Sequence, residues 1–378
     1  MKKCIVIPDS YKGTLTAAEF CHIAQEEIKA KFADCEVVLI PVADGGEGTV
    51  DCFALSLGYE RVAVEATGPF GERLEAYYAK KDGCAVVELA MCAGLPLAAS
   101  RLNPSLTTTY GVGQVIKKAV MDGCKKIILG LGGSCTNDCG AGMAAALGTR
   151  FFDAEGKKFV PTGGELHTVV KIDTSETQRL LCGCEIVAMC DIDNPLCGEH
   201  GAAYIFAPQK GADSEMTRAL DRNLQTFAGT IKAALGVEVA SLKGAGAAGG
   251  AGAGVVAFLG GELRSGIDTV LELVHFDREL EGTDIVFTGE GRLDGQSLDG
   301  KAIVGIARRA AKKSVPVIAV VGAIGNDACK IYSQGVSAIF SINTCAEAFE
   351  TSRFKTKENL RTVFDNILRL YDCAYRDN

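Results

Sequence analysis

Apolar and polar positions follow two different rhythms along this chain of 378 residues. At both ends, short β-branched runs give way to helical spacing. The run Cys4-Ile-Val-Ile-Pro8 predicts a buried strand. After it, Thr16-x-x-Glu19 has the form of a capping box, and Phe20, Ile23, Ala24, Ile28 and Phe32 recur at helical spacing. A second strand is predicted over residues 37–42. Near the C-terminus the pattern predicts a strand over 284–288 that feeds a glycine loop, then an amphipathic helix through Ile303, Ile306, Ala307, Ala310 and Ala311. A strand over 316–321, a helix near 327–334, a strand over 338–342 and a closing helix from about 356 to 371 complete the series. Such alternation is that of one parallel sheet flanked by helices.

The middle of the chain has a different texture. Residues 61–90 alternate apolar and polar positions between turns at Gly68-Pro69, Gly71 and Asp82-Gly83, which predicts antiparallel hairpins. Segments 149–172 and 185–207 read the same way, interleaved with helices around 110–122 and 138–147. The fold class is therefore α/β with two unlike α/β domains. An outer parallel-sheet domain is expected from residues 1–65 plus 282–378, and a mixed α/β domain from 66–281 is inserted into it. An active cleft between the two is expected.

Composition narrows the class of function. The chain is 48% hydrophobic and 23% charged, enough for two cores, and its formal net charge of −8 argues against nucleic-acid binding. The basic pairs and runs at 117–118, 125–126 and 308–313 read as solvated helix faces. No signal peptide or membrane helix is predicted, so the expected location is the cytoplasm, with no membrane partner. The 16 cysteines form no Cys-x-x-Cys pair and are expected as reduced core residues. Four histidines without metal-binding spacing leave no basis for a structural zinc site or a histidine triad.

Six apolar runs break directly into loops of glycines and acids, as strands do when they end at a ligand-binding edge. The first gives Asp9-Ser10-Tyr11-Lys12-Gly13, where Lys12 is suited to a carboxylate or phosphate. The second gives ADGGEGT, with Asp44 and Glu47 around a Gly-Gly pair. The third, GLGGSCTND, contains Gly132, Gly133, Ser134 and Asn137. It is no Walker A string, yet its backbone N–H groups can cradle phosphate. The fourth, CDIDNPLCG, offers Asp191 as a general base or magnesium ligand ahead of Asn194-Pro195. The fifth, GEGRLDGQSLDGK, combines Gly289, Glu290, Gly291, Arg292 and Asp294, residue types that bind magnesium and offset phosphoryl charge. The sixth is GAIGND. A separate string, GAGAAGG at 244–250, matches the dinucleotide fingerprint, but its leading strand is poor and no acid follows at the required distance.

Taken in order, DSYKGTLTA, VADGGEGTVD, TTTYGVGQVI, GLGGSCTNDCGAGM, CDIDNPLCG, APQKGA, GAGAAGGAGAG and TGEGRLDGQSLDGKA resemble the bacterial glycerate kinase family over about residues 5–325. Cys135 and Cys139 stand where the family usually has smaller residues, and Lys243 where a proline is common. The resemblance implies one flavodoxin- or Rossmann-like domain and one unlike α/β domain. It also implies ATP-dependent phosphorylation of D-glycerate to 2-phosphoglycerate with Mg2+. On this basis the expected phosphate loop is Gly132, Gly133, Ser134 and Asn137, together with Gly289 and Gly291. Magnesium falls to Asp294 or Glu290, and Arg292 or Lys12 offsets charge in flight. Lys12 is the first choice for the glycerate carboxylate, with Ser10, Asp44, Glu47 or Asn194 on the rest of the substrate. Asp191 is the preferred base and Asp44 the second. The alternative is an NAD-linked hydroxy-acid oxidoreductase built on the GAGAAG loop. The expected partners are the small molecules glycerate and ATP, and the sequence does not set an oligomeric state.

Overall fold

The structure is a computed structural model and describes residues 1–11, 13–42, 46, 48–294, 302–345 and 347–375. Along the chain the strands are β1 (Lys3–Pro8), β2 (Glu36–Leu39), β3 (Glu60–Thr67), β4 (Arg73–Lys81), β5 (Cys84–Glu88), β6 (Lys126–Gly130) and β7 (Arg150–Phe152). They continue with β8 (Lys158–Phe159), β9 (Lys171–Asp173), β10 (Glu185–Met189), β11 (Glu262–Arg264), β12 (Ile285–Leu293), β13 (Val317–Ile324) and β14 (Ala338–Ser341).

The chain forms two compact units, residues 1–44 with 266–378 and residues 45–265. The sequence pattern put the crossings at 65/66 and 281/282. Two elements account for the difference. β3 pairs along its whole length with β4, which ties residues 60–67 to the second unit. The helix Gly266–Leu273 buries Ile267 and Leu271 with Ile303 and Ile306, which ties it to the first.

The first unit contains a five-stranded sheet in the order β14-β13-β12-β1-β2, parallel throughout. Counted within the unit, this is the 2-1-3-4-5 order of flavodoxin-type sheets, with its reversal between β1 and β12. Successive strand residues point to opposite faces, so the sheet has two cores. Ile5, Ile7, Val286, Val317 and Val321 pack with the helix Ala302–Lys312. Cys4, Val6, Phe287 and Val320 pack with the helices Ala17–Lys31 and Thr356–Tyr375. The first of those helices starts where the capping box predicts: Glu19 N donates to Thr16 Oγ1 (3.1 Å) and Thr16 N donates to Glu19 Oε2 (2.9 Å). One strand departs from expectation. β12 runs on through Gly289 to Leu293 instead of breaking into a loop after Thr288.

In the second unit a six-stranded sheet runs β11-β10-β6-β5-β4-β3. β5, β6, β10 and β11 are parallel, whereas β4 and β3 are antiparallel additions at one edge. The hairpins expected over 61–90 are this edge, and those over 149–172 form the small antiparallel sheet β8-β7-β9. Residues 185–207 do not form a hairpin: β10 is a central parallel strand, followed by a loop and the helix Ala202–Phe206. Ile186 to Met189 are all buried, and such a run carries no polar face to mark its partners. Phe151, Phe227 and Phe258 cluster in the core of this unit with ring centroids 5.5–6.0 Å apart. No described helix is long and apolar enough to cross a membrane, and the cysteines are free thiols.

Candidate active site

The parallel strands of the second unit end level with one another. Gly130 of β6 is paired with Glu88 of β5 on one side and Met189 of β10 on the other. Each strand then delivers polar groups to the same edge of the sheet. Glu88 is only 2% exposed. Its carboxylate accepts from Gly48 N at 3.2 Å and from Val50 N, so it caps the helix Thr49–Leu57. A carboxylate there satisfies donors that a helix start leaves unpaired.

After β6 comes the segment 131–140. Its tip is at Gly132 and Gly133, and from Ser134 to Gly140 it is buried. Leu95 N donates to Gly133 O (2.9 Å) and Cys135 N to Ala93 O (2.8 Å), pinning the segment to residues 93–95. Among the described residues nothing accepts from the N–H groups of Gly132, Gly133 or Ser134. Asp138 organises the far end. Its Oδ2 accepts from Thr109 N (2.7 Å), Thr109 Oγ1 (2.8 Å) and Gly142 N (3.2 Å), and its Oδ1 accepts from Gly140 N (3.1 Å). Burial pushes this carboxyl up from its ordinary value, and the hydrogen bonds pull against that. Asp138 thereby ties together the starts of the helices Tyr110–Met121 and Ala141–Leu147.

Beneath the segment lies Lys210, 2% exposed. Its Nζ donates to Ser134 Oγ (2.8 Å) and to the Thr136 carbonyl (2.7 Å). It has no ion-pair partner among the described residues, and burial pushes its ammonium down to about 8. Beside it, Asn137 is fully buried, and among the described residues neither its amide atoms nor Thr136 Oγ1 has a hydrogen-bond partner.

The GAGAAGG string packs against this segment. Ala248, Gly249 and Gly250 all have positive φ (53°, 66° and 90°). A Cβ on Gly249 would lie 1.9 Å from the Thr136 carbonyl oxygen. Cys139 N donates to Gly249 O (3.1 Å), and Gly246 N to Asn194 O (3.0 Å). Residues 238–242 form no strand. The glycines allow backbone to meet backbone; the strand that a dinucleotide site requires is missing.

The predicted residues are placed as follows. Gly132, Gly133, Ser134 and Asn137 lie in the segment after β6. Asp191, exposed, and Asn194 lie in the loop after β10, where Asn194 Nδ2 donates to His200 O (2.8 Å). Gly132 and Asp191 each stand two residues beyond a paired strand end, Gly130 and Met189, so both leave the same edge side by side.

In the first unit, Ser10 follows β1 and donates its N–H to Asp9 Oδ1 (2.6 Å). Gly289 and Gly291 are not in a loop. Gly289 sits inside β12, paired with Pro8 and with Val320. A Cβ there would come within 3.0 Å of Tyr11 Oη, which itself donates to Val320 O (2.6 Å). Gly289 thus serves close strand packing beside Val320 and Tyr11. Lys12, Asp44 and Glu47 lie outside the described residues.

Magnesium needs one or two carboxylates, with phosphates and water as its other ligands. Glu290 is buried within β12, and Asp294 follows the strand. Glu290 and Leu293 alone are about 10 Å apart at the usual rise of an extended strand, so Glu290 and Asp294 do not make one compact site. No group of three or more candidate ligands occurs among the described residues. Asp294, 27% exposed and 3.1 Å from Arg292 Nε, fits as a single carboxylate ligand.

Reading the sequence alone missed Glu88, Asp138, Thr109 and Lys210. The signal for the first and last was a lone charge in an apolar neighbourhood, CAVVELA and YIFAPQKGA.

Comparison with known proteins agrees with this organisation. Residues 4–372 match the model of the glycerate kinase family. A glycerate kinase of Bacillus cereus is 43% identical over 375 residues, covering 98% of both chains. A glycerate 2-kinase of Escherichia coli is 42% identical over 371 residues, covering 97% of this chain and 95% of that one. The crystal structure of a candidate glycerate kinase 2 from Salmonella typhimurium LT2 superposes with a TM-score of 0.88 at 37% identity, covering 99% of both chains.

Proposed function

The chain belongs to the glycerate kinase family, and on that premise we propose that it transfers the γ-phosphoryl group of ATP to D-glycerate, giving 2-phosphoglycerate and ADP. The likeness to a glycerate 2-kinase favours the 2-hydroxyl as acceptor. The observation that carries the reading is the shared exit of the Gly132 loop and Asp191 from paired strand ends. Neighbouring strands lie about 4.8 Å apart, so a phosphate at the loop and a hydroxyl at the carboxylate fall within one small substrate's reach.

Phosphoryl transfer asks mainly for positioning and charge neutralisation. The N–H groups of Gly132, Gly133 and Ser134 receive phosphate oxygens. Asp191 accepts the proton of the attacking glycerate hydroxyl as its oxygen bonds to the γ-phosphorus and the bond to ADP breaks. Solvent exposure keeps Asp191 reachable by substrate. Asp294 would hold magnesium, which would supply positive charge to offset that of the triphosphate. Lys12 remains the residue chosen for the glycerate carboxylate. Ser10, Asp44, Glu47 and Asn194 are the candidates for the rest of the molecule, and Asp44 is the alternative base.

Asp191→Asn keeps the shape and removes the base. It should lower kcat by about two orders of magnitude or more with KM little changed. Retention of most of kcat would pass the role to Asp44 or Asp294. Phosphorus NMR of the product from ATP, magnesium and D-glycerate tests the reaction itself, and absence of 2-phosphoglycerate would overturn it.

A further inference from the structure

A buried lysine with no acid beside it is an unusual expense in a folded protein. Removing an ammonium from water costs several kcal/mol unless a charge compensates it. Lys210 is fully enclosed, yet its described partners are a hydroxyl and a carbonyl, both neutral. Asp138, the nearby acid, already accepts five hydrogen bonds from Thr108, Thr109, Gly140 and Gly142. Among the described residues, the N–H groups of Gly132, Gly133 and Ser134 have no acceptor, and the buried amide of Asn137 has no partner. The open donors and the unpaired amide belong to one stretch of six residues, 132–137, which the Lys210 cation contacts at Ser134 and Thr136.

We propose that Lys210 is the buried charge of an oxyanion site formed by residues 132–137, acting through Ser134 Oγ and the Thr136 carbonyl. The oxyanion is a phosphate group of the nucleotide or the carboxylate of the hydroxy acid. Lys210 is a positioning residue: enclosed beneath the loop, it fixes Ser134 and raises the potential at the N–H groups, without itself touching the ligand. Two features follow. The site attracts anions more strongly while Lys210 is protonated. Its strength depends on Ser134 and Lys210 jointly, because one acts through the other. The titratable groups that act on Lys210 are Cys135, whose thiol burial pushes up to about 12, and Asp138. Cys135 stays a neutral thiol in the range in which Lys210 loses its charge, and the Asp138 carboxyl is pushed up by burial.

This inference rests on the proposed reaction only for the identity of the oxyanion, so binding is the readout. Sulfate, whose charge is constant above neutrality, is titrated by calorimetry or thermal shift into the wild type, Lys210→Met, Ser134→Ala and the double variant. ADP and D-glycerate then compete for the site separately. The wild type should bind sulfate at least tenfold more tightly at neutral pH than well above the Lys210 transition. Lys210→Met should show the weaker affinity throughout, and the double variant should lose little more than either single change. Competition by ADP alone assigns the site to phosphate, and competition by glycerate alone assigns it to the carboxylate. A folded Lys210→Met with wild-type sulfate affinity overturns the proposal. So does a wild type whose affinity is flat across that pH range, a measurement that needs no variant. A chain that binds sulfate through Lys210 but makes no 2-phosphoglycerate refutes the proposed reaction and leaves this inference standing.

Discussion

Gly249→Ala tests whether the glycine-rich string is a packing device. The added methyl would start 1.9 Å from the Thr136 carbonyl oxygen, at a φ of +66°. Ordinary contact begins near 3.4 Å, so the carbonyl or the string must retreat by about 1.5 Å. That atom is backbone, and Lys210 holds it at 2.7 Å, so no flexible side chain can absorb the shift. Overpacking of this kind costs about 1–3 kcal/mol. Left-handed backbone adds roughly 1 kcal/mol more for a residue with a Cβ. A total of about 3 kcal/mol should lower the melting temperature of a unit this size by roughly 6–12 °C. The control is Gly229→Ala, at an exposed site in the helix Ser214–Leu235 with nothing within 4 Å of the new methyl. There alanine should stabilise by about 0.8–1.0 kcal/mol. Thermal unfolding of the two variants beside the wild type reads both signs. If Gly249→Ala melts with the wild type, the close approach between residue 249 and Thr136 is wrong, and with it the packing account of the string.

Two further outcomes are expected. Glu88→Ala leaves Gly48 N and Val50 N without their acceptor, at about 1–3 kcal/mol for each buried donor so exposed. Hydrogen exchange in the helix Thr49–Leu57 should quicken, and unchanged exchange would remove Glu88 from the capping role. Lys210 gives a pH dependence of stability. Its folded value, about 8, lies below the ordinary 10.5, so between them the unfolded chain holds a proton that the folded chain has lost. Stability therefore rises with pH across that window, by about 3 kcal/mol at 1.36 kcal/mol per pH unit. Denaturant unfolding of the wild type minus Lys210→Met should show this rise, and a flat difference would contradict it.

Much of the architecture was legible in local pattern. The Thr16/Glu19 capping box and the spacing of Phe20, Ile23 and Ile28 placed the first helix, because hydrogen bonds three residues apart and a single buried face decide it. β10 gives no local sign of its partners, since its run Ile186–Met189 is buried on both faces and only its pairing with Lys126–Gly130 shows that it is central and parallel. β12 was cut short at Gly289 because glycine ordinarily ends strands. Here the Val320 carbonyl of the neighbouring strand, with Phe20 and Tyr11 from almost 270 and 280 residues away in sequence, occupies the space that a side chain would need. The candidate site divides in the same way. Gly132, Ser134 and Asp191 announce themselves by following apolar runs. Glu88 acquires meaning only from donors 38 and 40 residues away, and Lys210 from acceptors 74 and 76 residues away. Such partners are set by tertiary structure and leave no local signature.

The placement of β1 in the middle of its sheet bears on how the protein emerges during synthesis. One edge of β1 meets β2 almost at once, but the other waits for Ile285–Gly289. At roughly 5–20 residues per second, ribosomal elongation leaves that edge open for about 12–50 seconds. Meanwhile every strand of the larger sheet, β3 to β11, is already available to pair. The nascent chain therefore completes its interior body first, while the sequence Cys-Ile-Val-Ile-Pro stands as an unprotected apolar edge of the kind that recruits other chains. Any premature stop before residue 285 makes that exposure permanent.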